Sequence, residues 1–239
     1  MSSALKSIGI QRGDKVTRLE AFVDAAFAFA LTLLVISVDA VPSSAEELKA
    51  ALKQIPTFVL CFNLIAQIWS SHAQWSRWFG IDDEASDRIS LFLVLVLLVF
   101  VYPLKMVFSG FFHAISGGWL PAQFTLERDT DLLLVFQVFA LGYGLMVMLL
   151  ALLFGRALKL ADSLDLSPTE RFLARHNRTN WWVVAGFCTV SFLLATFLPE
   201  SLRDTEWLGL PGYILFLLFV FQFFRWRTCK RELARLSAS

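Results

Sequence analysis

Apolar residues run along this chain in long blocks separated by short polar connections. A membrane span takes about 20 mostly apolar residues, and six segments meet that length: 18–40, 56–79, 89–112, 132–155, 179–199 and 208–226. The third (SLFLVLVLLVFVYPLKMVF) and sixth (GYILFLLFVFQFFRW) are the most continuous. The fourth contains Gly142 and Gly144, where a neighbouring helix can approach closely. Pro103 lies inside the third and predicts a kink there. The predicted fold class is all-α: one polytopic domain over residues 1–239 with six transmembrane helices.

Composition agrees. The 239 residues are 57% hydrophobic and 17% charged, with 24 Phe and 8 Trp. Soluble domains average roughly 45–50% apolar and about 25% charged, so this chain has too little polar surface to clothe a globule in water. A net charge of +1 argues against a nucleic-acid partner. Cys61, Cys188 and Cys229 have neither metal-site nor disulfide-framework spacing. The polar N-terminus, with no small-residue cleavage site, predicts no signal peptide.

Lys and Arg counts orient the bundle. With the N-terminus in the cytoplasm, the inner segments hold sixteen Lys and Arg residues, and the outer ones five: Lys49, Lys53, Lys105, Arg128 and Arg203. That bias predicts both termini inside. The basic tail after Phe224 serves as a topology signal that also suits anionic lipid. The first outer loop predicts a small amphipathic helix, with Ser44 and Glu47 as a capping box. The second, aromatic and Gly-rich, suits either the membrane interface or the cover of an outer mouth.

The first span is the unusual one. Only 14 uncharged residues separate Asp24 from Asp39, too few to cross a bilayer. If the segment is a span, Asp24 sits within the membrane edge and is a functional candidate by default, or half of an ion pair between helices. At 100° per residue, Phe22, Phe29, Leu33 and Ile36 lie about 120–180° round the helix from Asp24, with Thr32 on their flank at about 80°. Such a stripe faces lipid, core or pore, and periodicity does not choose among them. In the second span Asn63, Gln67, Ser70 and Gln74 share a face suited to hydrogen bonds between helices. Trp69 and His72 lie on another face, and His72 reads either as a proton relay or as a satisfied core group.

The run Arg18-Leu-Glu-Ala-Phe22-Val-Asp24 resembles the Arg-x-x-x-Phe-Ser-Asp signature of the transmembrane protein 175 family of potassium channels. Thr32-Leu33-Leu34, Val41-Pro42, Glu47-Leu48, Pro56, the Phe62…Trp69-x-x-His72 pattern and Pro103 are similar to further family features. Together they cover about residues 15–105. The resemblance implies a bacterial six-helix subunit, a homotetramer with a central pore lined by the first helix, and location in the plasma membrane. It implies a hydrophobic constriction at Phe29, Leu33 and Ile36, with Thr32 contributing to selection of potassium. It also implies a support network of Arg18, Phe22, Asp24, Trp69 and His72. Val23 stands where the signature has serine, Ala25 where glycine is common, and Phe29 is bulkier than the usual Ile or Leu. Four such rings narrow a pore and strengthen dewetting.

The expected function is therefore a potassium-permeable cation channel. It has no catalytic residues, no metal site and no cofactor, and its partners are lipid and permeant monovalent cations. A proton pathway through Asp24 and His72 is the rival within transport. A membrane enzyme is disfavoured, because His72, His113 and His176 are dispersed and no nucleophile or phosphate-loop motif is present. A non-conducting bundle is the remaining alternative.

Overall fold

The computed structural model describes residues 12–13, 16–36, 42–123, 129–203, 206–215, 217 and 221, without the side chains of Ile36, Asp129, Arg203 and Glu206. Asp39, the basic tail and about half of the sixth predicted span lie outside the described residues. Within them the chain is all-helical: α1 (Arg18–Ile36), α2 (Ala45–Leu52), α3 (Ile55–Phe79), α4 (Glu84–Ile115), α5 (Asp129–Lys159), α6 (Pro168–Phe197), α7 (Glu200–Arg203) and a 3-10 turn (Glu206–Gly209). Residues 210–215 are again helical. Four of the described helical stretches, containing α3, α4, α5 and α6, are long and apolar enough to cross a membrane.

Several helices begin before the apolar blocks do, because their starts are set by polar caps. Asp83 accepts a hydrogen bond from the Ser86 N–H and starts α4 at Glu84, five residues ahead of the apolar block. Ser167 and Glu170 form a full capping box, with Pro168 in the first turn, and start α6 eleven residues before the predicted span. At 30 residues α6 is about 45 Å long, well beyond a hydrocarbon core of about 30 Å. Thr17 and Glu20 exchange bonds of the same kind, at 2.8 and 3.1 Å, ahead of α1. The box expected at α2 is altered. Ser44 accepts from the Glu47 N–H at 3.2 Å, but the Glu47 carboxylate turns back to the N–H and hydroxyl of Ser43.

α5 and α6 form the most extensively packed pair. α4 packs on α5, and α1 lies across α3 and α4. The core is a continuous apolar cluster in which Phe27, Ile65, Phe79, Leu93, Leu97 and Phe154 are fully buried. Gly142 permits the closest helix approach, since a Cβ there would fall 2.0 Å from Cδ2 of Phe100. Gly144 plays the same part against Cys188, at 3.0 Å. α4 continues through Pro103 to Ile115. Polar stitches hold the bundle where apolar packing gives no direction. The Trp75 indole donates to the Leu153 carbonyl at 2.8 Å, and Arg156 donates to Asp83 at 2.6 and 2.9 Å.

Candidate functional site

α1 presents two unlike flanks. Val23, Phe27, Ala30 and Leu34 recur at helical spacing and are buried, at 0–3% exposure, against the rest of the protomer. Phe22, Phe29 and Val35 are each more than half exposed, and Asp24, Ala25, Ala28 and Thr32 are exposed beside them. Leu33 lies at the boundary, partly buried and packed on the core. The Ile36 side chain is outside the described set. The Thr32 hydroxyl donates to the Phe29 carbonyl at 2.7 Å. That bond uses its proton and leaves its oxygen lone pairs able to accept.

Asp24 is exposed within the protomer rather than buried. Its Oδ1 accepts the Trp69 indole N–H at 2.7 Å, which ties α1 to α3. His72 lies one turn further along α3 but bonds elsewhere: its Nε2 is 2.9 Å from the Ser90 hydroxyl on α4, and both groups are buried. His72 thus joins α3 to α4 rather than to α1. Arg18 is exposed and forms no ion pair among the described residues. Of the five residues expected to form a support network, Asp24 and Trp69 are joined directly. Phe22 faces outward with Phe29.

The polar face expected on α3 divides. Gln67 accepts the Tyr143 hydroxyl from α5 at 3.2 Å, whereas Asn63 donates to Val59 in its own helix at 2.7 Å. Lys105, which counts among the outer charges, is buried within the protomer, and its ammonium donates to the Leu34 carbonyl at 3.4 Å. That bond ties α4 to the last described turn of α1. A charged residue within the apolar run VYPLKMVF was the available signal.

The loop that follows α4 folds back on the α2–α3 junction. The Lys53 ammonium stands 5.0 Å over the Trp119 ring, and Gln123 donates to Gln54 at 3.0 Å. His113 contacts the Leu120 carbonyl at 2.8 Å within the loop.

At the opposite end of α1, the segment leading into it is held by the rest of the chain. The N–H groups of Arg12 and Gly13 both donate to the Arg77 carbonyl, at 3.1 and 3.2 Å. The Arg12 guanidinium engages Glu170 at 2.8 Å through Nε and 3.1 Å through Nη2. Among the described residues, no group of three or more His, Cys, Asp or Glu side chains is placed to hold a metal ion.

Comparison with known proteins converges on one family. Residues 18–103 match the family described as endosomal/lysosomal potassium channel TMEM175. A potassium channel of Marivirga tractuosa is 34% identical over 167 residues, which is 67% of either chain. The fold is similar to the crystal structure of a variant of the potassium channel MtTMEM175 in complex with a nanobody–MBP fusion protein. That likeness has a TM-score of 0.79 and 28% identity, and covers 92% of this chain and 96% of the other.

Proposed function

The chain belongs to the TMEM175 family of potassium channels, and from that premise we propose that it forms a K⁺-permeable cation channel gated by a hydrophobic constriction on α1. Four copies surround an axis, each presenting the flank of α1 that its own core leaves bare. Each subunit has six transmembrane helices as one domain, with both termini in the cytoplasm of a bacterial cell and the body in its plasma membrane. K⁺ is the permeant ion, not a cofactor, and no residue is assigned a catalytic role.

One observation carries this reading. α1 turns Val23, Phe27, Ala30 and Leu34 to its own protomer and leaves Phe29, Thr32 and Val35 exposed. A helix that bears a carboxylate on its outward side is poorly suited to lipid, and a symmetric closed assembly covers that side. Phe29 and Leu33 then narrow the conduit, joined by Ile36 on the family resemblance, and a hydrated ion crosses them only by shedding water. Thr32, one turn beyond Phe29, presents its oxygen lone pairs to the partly dehydrated cation. Asp24, Trp69 and Lys105 hold α1 in register rather than contacting ions, while His72 and Ser90 hold the α3–α4 wall behind it.

Purified protein reconstituted in planar bilayers tests the proposal. The expected result is a small K⁺ current that Leu33→Ala enlarges several-fold by removing an apolar ring. Thr32→Ala is expected to bring the reversal potentials for K⁺ and Na⁺ closer together. A preparation that carries no cation current, or a Leu33→Ala current equal to the wild type, overturns the reading.

A further inference from the structure

The Arg12 side chain spans a junction that the family signature does not include. Its guanidinium meets the Glu170 carboxylate through two nitrogens, Nε to Oε1 at 2.8 Å and Nη2 to Oε2 at 3.1 Å, a bidentate geometry. Nη2 also donates to the Asp165 carbonyl at 2.9 Å, and Nη1 to that of Leu164. The Glu170 side chain is 6% exposed and that of Arg12 36%. Glu170 Oε2 further accepts the Ser167 N–H at 2.7 Å, so both carboxylate oxygens are engaged.

The backbone at this junction is equally constrained. Arg12 and Gly13 hang from the Arg77 carbonyl at the end of α3. Gly80 just beyond adopts φ +56°, and a Cβ on it would meet the Arg12 carbonyl group at 3.1 Å. Arg12 thus bridges the end of α3 and the α5–α6 corner. α1 itself packs on α3 and α4, and Arg12 is where its leader reaches α6.

We propose that Arg12 and Glu170 are a positioning pair that couples the foot of α1 to the α5–α6 hairpin and holds the constricted arrangement of the channel. The inference rests on the channel reading above and adds a gating contact to it. Breaking the pair frees the foot of α1 to tilt. The constriction then opens more often, while the atoms that an ion meets are unchanged. The corner does not depend on Arg12 for its own shape, because Arg171 separately binds the carbonyls of Leu166 and Ala161 and the Asp162 carboxylate. Arg12→Ala therefore leaves the hairpin folded.

The test uses the full-length protein in bilayers, comparing wild type, Arg12→Ala, Glu170→Gln and the double variant. Each single variant is expected to raise open probability at least about five-fold, the lower end of ordinary coupling between sites. The double variant is expected to match the singles rather than multiply them. Reversal potentials under mixed K⁺ and Na⁺ should stay at the wild-type value, which separates positioning from ion contact. Hydrogen exchange in lipid nanodiscs supplies a readout that needs no current. Amides of Arg12 and Gly13 should exchange faster in both single variants, with those of residues 160–170 still protected in Arg12→Ala. Wild-type current combined with unchanged or additive open probabilities overturns the coupling alone, as does unchanged exchange at Arg12 and Gly13. A wild type without cation current overturns the channel reading and the coupling with it.

Discussion

At the scale of the residue, the bond from the Trp69 indole to Asp24 is the direct tie between a charged group on α1 and the helix behind it. Trp69→Phe keeps the ring and removes the donor. The carboxylate is exposed in the protomer, so the cost is expected to be modest, about 1.5 kcal/mol, at the low end for a bond to a charged group. Thermal unfolding in detergent, read against Asp24→Asn, should show equal and non-additive losses if the bond is the whole effect. Residues of this kind were legible in sequence because charge inside an apolar run is conspicuous. Their partners were not. Nothing local in the chain says that His72 turns to Ser90, or that Lys105 folds inward to the Leu34 carbonyl. Those pairings depend on which helices become neighbours. Exposure of Asp24 around the protomer was equally illegible, because hydropathy ranks depth along the membrane and not which flank of a helix its own subunit covers.

Between elements, small residues decide how close two helices come. Gly142 faces Phe100 with no room for a methyl group, whereas a Cβ at Gly110 would meet nothing within 4 Å. Gly142→Ala is expected to destabilise the fold by about 1–3 kcal/mol through overpacking. Gly110→Ala should be neutral or stabilise by up to ~1 kcal/mol, since only helix entropy changes. Melting temperatures of the two variants side by side discriminate a packing role from a general dislike of substitution. The helices themselves were read well where lipid-like residues mark them and poorly where they continue into polar surroundings. α6 begins at Pro168 rather than 179, although Ser167 and Glu170 already wrote a capping box into the sequence. The intervening polar turns (Thr169 to Asn180) carry no apolar block, and a helix satisfies its backbone whether or not its side chains are apolar.

For the whole molecule, the connections at one end of the bundle are charged and interlocked. Burial pushes the Asp83 carboxyl up, but hydrogen bonds from Ser86 and Arg156, with the Arg156 charge, outweigh it and hold the group below its ordinary range. A carboxyl depressed in the folded state adds stability above its unfolded pKa of about 3.9 and loses it as pH falls through the lower folded value. The melting temperature of the wild type should therefore fall more steeply than that of Asp83→Asn as pH drops below about 4. At neutral pH Asp83→Asn should be less stable by about 1 kcal/mol, because both groups of the pair remain partly exposed.

The Arg12–Glu170 contact also has a consequence in time. The two residues are separated by 158 positions, so at 5–20 residues per second the first leaves the ribosome roughly 10–30 s before the second. Throughout that interval the base of the opening helix has its backbone bonds to Arg77 within reach but not yet its side-chain contact to Glu170. A nascent chain truncated before the fifth long helix lacks that contact altogether. The last contact at the base of α1 thus forms only when the subunit is nearly made.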